Sequence, residues 1–383
     1  MVLPGKGWDK LLEDVMKLDT RLVQAEAHFA VVANGDGQQD VRRTLEGVLA
    51  TIEGGGRSYA FSSGQMAVHA FVQTLPAGSR ILATEDLNPE VWNLFGELQV
   101  SRGIRVDPVD TSDLDAVRKA FEFSEDVKAV YVENPSQVLV RGADLRALAW
   151  ETHRRSALLV VDNTSLTPVL QRPLDYGADV VLHVGARNLA GVREVQAGFA
   201  ITRLTGLISK LDRLQKTTAA QLASFDAWQV LQGLKTLGLR SRRQQENAVK
   251  IAQWLATHPR VRQVFHPSLD GHAGSEPLRQ QARGLGAVVS FEIIEPGLVP
   301  GFLRALRLWR ASGDQAGVES QVSVPAAHPQ GEGLASLHQR LGIDGGLVRL
   351  SVGIEDAQDL VDDLDRALNN PNTGFAEVWD YVI

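Results

Sequence analysis

The chain has 383 residues, 44% hydrophobic and 22% charged, with a net charge of −7. This is ample for two or three domains and a sizeable core, and the acidic balance argues against a nucleic-acid-binding face, which needs a basic excess. Cysteine is absent, which excludes disulfides, zinc–thiolate and iron–sulfur centres and thiol catalysis. No apolar run reaches the ~18 residues of a membrane span. Met1 to Thr20 mixes charged and apolar positions, so neither a span nor a signal peptide is expected, and the expected compartment is the cytoplasm.

Trp8, Leu11, Leu12, Val15, Met16 and Leu18 fall at helical spacing, and Asn34-Gly35-Asp36-Gly37 reads as a turn. Gly54-Gly55-Gly56 is a second turn, without the Lys-Ser/Thr of a phosphate loop. From Gly54 to about Thr202 strands and helices alternate. The short apolar runs Arg80–Ala83, Ala129–Val132, Leu158–Val161 and Val180–Leu182 suit buried parallel strands. Amphipathic stretches lie between them, and Ser112, with Asp115 three residues on, predicts a helix start. That alternation predicts a doubly wound α/β domain. Thr218 to Ala256 reads as mostly helix. The tail from Val261 carries strands at Val288–Ile294 and Leu347–Val352 and a helix at Glu355–Leu368, a smaller α+β domain.

Most motif searches are empty. There is no nucleophile-elbow serine and no His-Glu-x-x-His. The nine histidines lack ligand spacing, so no metal is expected. Asn163-Thr164-Ser165 is a formal glycosylation sequon, but it abuts a predicted buried strand. Two features stand out, because ligands of open α/β sheets sit beyond the carboxyl ends of the strands. Asp162 closes the run Leu158–Val161, and Ser62-Ser63-Gly64-Gln65 precedes a helical stretch, Met66–Thr74, whose first N–H groups suit an anion. Each also reads as an ordinary turn or cap residue.

A longer set of segments resembles one family. They are Phe61-Ser62-Ser63-Gly64, Val132-Glu133-Asn134-Pro135-Ser136, Val160-Val161-Asp162-Asn163-Thr164, Leu170-Gln171-Arg172-Pro173-Leu174, Phe225-Asp226-Ala227-Trp228, Gly233-Leu234-Lys235-Thr236-Leu237, Gly317-Val318-Glu319-Ser320 and Leu347 through Asp356. Their order and spacing from about Arg42 onward are similar to the Cys/Met-metabolism group of pyridoxal-phosphate (PLP) enzymes: cystathionine γ-synthase, the cystathionine β- and γ-lyases and methionine γ-lyase. The resemblance implies the fold type I, aspartate-aminotransferase-like architecture: a large doubly wound domain with a mostly parallel sheet plus a smaller C-terminal α+β domain. The expected division is an N-terminal arm over 1–50, a large domain over 51–243 and a C-terminal domain over 244–383. A homodimer or tetramer is also implied.

The resemblance puts the family's Schiff-base lysine at Arg187, within His183-Val184-Gly185-Ala186-Arg187-Asn188. A guanidinium stays protonated to above about pH 12 and is a poor amine nucleophile, so this position cannot bond the cofactor covalently. Only nine of the 39 basic residues are lysines, and Lys210 and Lys235 lie in segments that the family places elsewhere. The family's phosphate-binding Ser and Thr correspond to Val184 and Ala186, its ring-stacking tyrosine to Asn88, and the asparagine beside the cofactor hydroxyl to Gln137. The Tyr and Arg that reach the phosphate from a neighbouring subunit correspond to Asn34 and Asp36. Retained are Asp162, the pyridine-nitrogen partner, Ser63 and Gly64 at the phosphate-side helix start, and Arg349 and Ser320 on the substrate side.

Each lost hydrogen bond to a charged phosphate costs on the order of 1.5–3 kcal/mol. The expectation is therefore a protein with no cofactor: a pseudoenzyme with a binding, regulatory or partner-subunit role, for example beside an active paralogue. An enzyme of sulfur amino-acid metabolism is the alternative, reusing the cavity without PLP or with PLP held noncovalently. Arg187 and Arg349 would then take a small anionic or amino-acid ligand, with Asp162 as an acid–base group. Without the pyridinium, an Asp162–Arg187 ion pair filling the vacated site is the structural alternative to a ligand-binding role for Asp162. Neither nucleic acid nor membrane is an expected partner.

Overall fold

The computed structural model describes residues 41–218, 220–312, 317–327 and 332–371. The expected helix at Trp8–Leu18, the turn with Asn34 and Asp36, and the tail beyond 371 lie outside the described residues. No described helix is long and apolar enough to cross a membrane.

The first sheet has seven strands. They are β1 (Arg57–Phe61), β2 (Arg80–Thr84), β3 (Arg105–Val109), β4 (Val127–Glu133), β5 (Leu158–Asp162), β6 (Val180–His183) and β7 (Gly198–Thr202), in the spatial order β1-β7-β6-β5-β4-β2-β3. From β3 to β6 the neighbours are parallel, and β7 runs antiparallel to both β6 and β1. The four apolar runs marked in the sequence are β2, β4, β5 and β6. Strand β3 escaped that reading because Pro108 and two charged residues interrupt its five positions. Proline is tolerated there because β3 is an edge strand.

Helices cover both faces of this sheet. On β5, Leu159 and Val161 enter one core with Leu45, Leu49 and Ile52 of α1 (Val41–Glu53) and Leu148 of α5 (Leu145–His153). Val160 enters the other core with Val68 and Phe71 of α2 (Gly64–Val72) and Phe95 of α3 (Pro89–Arg102). The period-two alternation of side chains splits one strand between two cores, and each buried Val or Leu contributes roughly 1.5–3 kcal/mol.

The caps show where local sequence decides. Ser63 is the N-cap of α2 and accepts from Met66 N at 3.2 Å, so the helix starts two residues earlier than its apolar run suggests. The start expected at Ser112 is displaced. Ser112 hydrogen-bonds to Asp110 through its own N and hydroxyl, and Asp113 caps α4 (Leu114–Phe123) by accepting from Asp115 N and Ala116 N. The carboxylate outcompetes the hydroxyl because an ionised acceptor makes the stronger bond to the free helix N–H groups.

Past the sheet the chain runs through helices at Arg187–Ala190, Thr205–Thr218, Ser224–Leu234 and Leu237–Leu255 into a second, five-stranded sheet. Its strands β8 (Val261–Phe265), β9 (Val288–Ile293), β10 (Arg310–Ala311), β11 (Gln321–Ser323) and β12 (Leu347–Ser351) lie in the order β10-β11-β12-β9-β8. The helix Ala357–Asn369 closes its core through Leu360, Leu364 and Leu368. The helix Leu237–Leu255 links the two halves. Leu237 packs into the first core, whereas Ala248, Ile251, Ala252 and Leu255 pack into the second. Residues 243 and 244, the sequence-derived division, therefore fall inside a continuous helix.

Candidate functional site

Strand order reverses between β2 and β4, since β3 lies outside β2 while β4 to β7 run the other way. A crevice is expected at the carboxyl ends of strands on such a reversal. A cavity of about 250 Å³ lies at this end of the sheet. Its lining includes Ser63 and Gly64 from the start of α2, Asn88 beyond β2, Glu133 ending β4, Gln137, Asp162 ending β5, and Val184, Ala186 and Arg187 beyond β6. Eight of the sequence-derived positions thus meet in one place. Arg349 and Ser320 do not line it.

Asp162 is the most firmly held. One carboxylate oxygen accepts from the N and hydroxyl of Thr164, and the other from the Tyr131 hydroxyl at 3.3 Å. Burial raises its pKa above the ordinary carboxylate value, while the Thr164 hydrogen bonds pull the other way. Tyr131, wholly buried beside it, is pushed well above the usual phenol value by burial and by the Asp162 charge. The Asp162–Arg187 ion pair is not formed: neither residue is the other's partner among the described residues. Thr164 occupies Asp162 instead, from two residues away in sequence.

Ser63 spends its oxygen on the α2 cap. Gly64 is there for close packing, since a Cβ on it would stand 1.8 Å from the Val184 carbonyl oxygen. Asn88 caps α3 by accepting from Glu90 N at 2.9 Å, and its own N donates to Glu133 Oε2 at 2.8 Å. The Val184 N donates to Thr164 Oγ1 at 2.7 Å. Gln137 is buried, its carbonyl accepts from Arg349 Nε at 2.8 Å, and its side-chain Oε1 has no hydrogen-bond partner. Arg349 on β12 is therefore one residue removed from the cavity. The Ser320 hydroxyl donates to Glu355 Oε2 at 2.8 Å and accepts from Gly353 N at 2.9 Å, which ties two loops of the second unit together.

The sequence reading passed over three side chains that shape this site. Glu133 ends β4 as Asp162 ends β5, directly opposite in register, and the matching strand-end position was its signal. Gln65 bridges to Glu90 at 2.6 Å across the cavity lining. Arg240 has no signal at all in its local sequence. Its buried guanidinium donates to the carbonyls of Asn188, Leu189 and Gly233 at 2.6, 3.0 and 2.9 Å, and burial lowers its pKa to about 10. These bonds cap the short helix Arg187–Ala190 and so hold the wall that carries Arg187. Arg240→Met should leave those carbonyls without a donor and cost about 2–3 kcal/mol. A denaturant melt is the check, and a loss below about 0.5 kcal/mol would contradict this role.

The Asn163 side chain is fully buried and donates to Glu53 Oε1 and to the Gln171 carbonyl, which excludes the sequon as a glycosylation site in this fold.

The comparisons with known proteins agree on one family. The family model described as Cys/Met metabolism PLP-dependent enzyme matches residues 37–369. A cystathionine β-lyase from Lactococcus lactis subsp. cremoris is 37% identical over 327 residues, covering 85% of this chain and 86% of the relative. A cystathionine γ-lyase from Bacillus subtilis is 36% identical over 329 residues, covering 86% of each. The crystal structure of cystathionine γ-lyase from Lactobacillus plantarum complexed with L-serine superimposes with a TM-score of 0.81 at 32% identity, covering 86% of each chain. Cystathionine γ-synthase from Xanthomonas oryzae pv. oryzae, in complex with aminoacrylate and cysteine, gives 0.82 at 34% identity, with 88% of this chain and 87% of that one covered. These matches correct the expectation of a protein with no cofactor. The matched family is PLP-dependent, so PLP is the cofactor to expect. The lost phosphate contacts outweighed the retained groups in that expectation, whereas the fold brings the retained strand-end carboxylate and helix start together on one pocket.

Proposed function

Because the chain belongs to the Cys/Met-metabolism family of PLP-dependent enzymes, we propose that it is a pseudoenzyme of that family. On this reading it holds PLP without a covalent bond, lacks transsulfuration activity, and serves as a binding, regulatory or partner subunit in an oligomer. One observation carries the reading. Arg187, which the sequence resemblance puts at the anchoring position, lines the cavity, and none of the lysines among the described residues does.

The residues present suit the cofactor's ring and phosphate better than its aldehyde. Asp162, buried and oriented by Thr164 and Tyr131, would hold the ring nitrogen. The Ser63 hydroxyl and the first N–H groups of α2 would face the phosphate. When bound, the group supplies an electron-withdrawing ring. Arg187 adds positive charge at the site but no nucleophile. The exposed, stacked pair Phe225 and Trp228, with ring centroids 6.0 Å apart, is the kind of apolar surface that a subunit contact covers.

The test is an absorption spectrum of the protein purified with excess PLP, then borohydride reduction and mass spectrometry. The expected result is no band near roughly 420 nm and no reduced adduct, with PLP retained on gel filtration only at micromolar or higher free concentrations. A trapped adduct on any lysine would overturn the reading and restore covalent PLP chemistry. One feature favours a second reading, an enzyme of sulfur amino-acid metabolism that works with noncovalent PLP: the buried carboxylates beside the cavity offer acid–base groups. Cystathionine breakdown by the same preparation, abolished in Asp162→Asn, would establish it.

A further inference from the structure

Glu133 and Asp162 face each other in register at the ends of parallel strands, and both line the cavity. They are 4% and 3% exposed, and neither forms an ion pair among the described residues. Among the described residues the Glu133 carboxylate accepts one hydrogen bond, from Asn88 N, and Asp162 is held by Thr164 and Tyr131. Two adjacent buried carboxylates with no ion-pair partner among the described residues are unstable as a pair of anions, because desolvation and mutual repulsion act together. Either a proton or a ligand's positive charge must compensate them.

A second, independent feature points to a ligand. Gln137, 6% exposed and lining the same cavity, keeps its amide oxygen without a donor. A buried acceptor left open beside two acids is matched by a ligand that carries N–H donors.

We propose that Glu133 and Asp162 act as one unit, a carboxylic acid and a carboxylate sharing a single proton, that receives the cationic nitrogen of the cavity's ligand. Glu133 is thereby a positioning and specificity residue, with a role distinct from that of Asp162. The proposal rests on the reading above only for its choice of probe.

The groups around the pair allow this. Asp86 adds a third carboxylate nearby, but its oxygens are taken by the Ser136 hydroxyl and the N–H groups of Val138 and Leu139. Tyr131 donates from β4, and His183 on β6 is bound to Glu53. Arg349, from the second sheet, donates to the Gln137 carbonyl, and its charge pulls the Glu133 pKa down, against the larger effects of burial and Asp162. Glu90 in the lining is bridged to Gln65, and Arg187, also in the lining, is not an ion-pair partner of either acid among the described residues. Burial and the Asp162 charge hold the Glu133 carboxyl well above its usual range, in agreement with a retained proton.

Difference infrared spectroscopy of the ligand-free protein between pH 6 and 7.5 reads the proton directly. The expected result is a protonated-carboxyl stretch in the wild type that disappears in Glu133→Gln, with the circular dichroism spectrum unchanged. The affinity for pyridoxine 5′-phosphate, which has no aldehyde and cannot bond a lysine, should fall at least tenfold in the same variant. If Glu133→Gln fails to fold, the wild-type band and its loss on titration to alkaline pH carry the test. Absence of the acid band in the wild type, or an unchanged affinity in the variant, would overturn the proposal. Failure of the probe to bind the wild type would remove the ligand-receiving half and the cofactor-type ligand together, while a trapped lysine adduct would sink only the pseudoenzyme reading.

Discussion

Glu53→Ala is expected to destabilise the protein by about 2–5 kcal/mol, because two buried donors lose their acceptor at about 1–3 kcal/mol each. Glu53 ends α1, and its carboxylate accepts from His183 Nε2 at 2.6 Å and from Asn163 Nδ2 at 3.1 Å, with both Glu53 and His183 fully shielded from solvent. These bonds join a helix to the ends of two central strands directly behind the cavity wall. Removing the carboxylate leaves an imidazole and an amide without their acceptor where no water reaches. Glu53→Gln keeps the volume and one acceptor and should cost less than half as much. Urea unfolding of the two variants side by side is the measurement, and equal, small losses would show that the pair is structurally dispensable.

Stability should also fall as the pH is lowered from 6.5 toward 3, and His266 is the principal cause. Burial, reinforced by neighbouring His272, lowers its pKa from 6.5 to about 3. Its Nδ1 accepts from Ser268 N at 3.1 Å, so the native ring is held neutral. Between these two values the unfolded chain binds a proton that the native state refuses. The unfolded state thus carries more protons, and stability rises with pH through this window. The contribution is complete above about pH 6.5 and amounts to on the order of 4–5 kcal/mol by linkage. Denaturant melts at pH 6.5, 5.5 and 4.5 should show the wild type losing stability steadily. In His266→Asn, which keeps an acceptor for Ser268 N, the slope should be much shallower. An equal slope in both proteins would assign the acid sensitivity elsewhere. Glu133 acts in the opposite sense: its raised pKa contributes stability that is lost as the pH rises toward alkaline values.

Much of this molecule is legible in its one-dimensional pattern. Buried parallel strands are continuous apolar runs, so β2, β4, β5 and β6 announce themselves. The segments around Ser63 and Asp162 are among those that carry the family resemblance, and the matched family model spans the same region. The chemistry of position 187 is also a property of sequence alone, because a guanidinium cannot act as an amine nucleophile at neutral pH wherever the fold places it.

What only the tertiary structure decided is the company these residues keep. Arg187 and Asp162, 25 positions apart, line one cavity without pairing, because Thr164 satisfies Asp162 locally and at lower entropic cost. Glu133 becomes significant only through the strand register that sets it against Asp162. Arg240, on a helix 50 residues beyond the cavity wall, reads as an ordinary surface cation until folding buries it against the Asn188 and Leu189 carbonyls. Desolvation and long-range pairing depend on which segments meet in space. Hydrophobic periodicity records which face of a segment is buried, but not what the buried polar groups will find there.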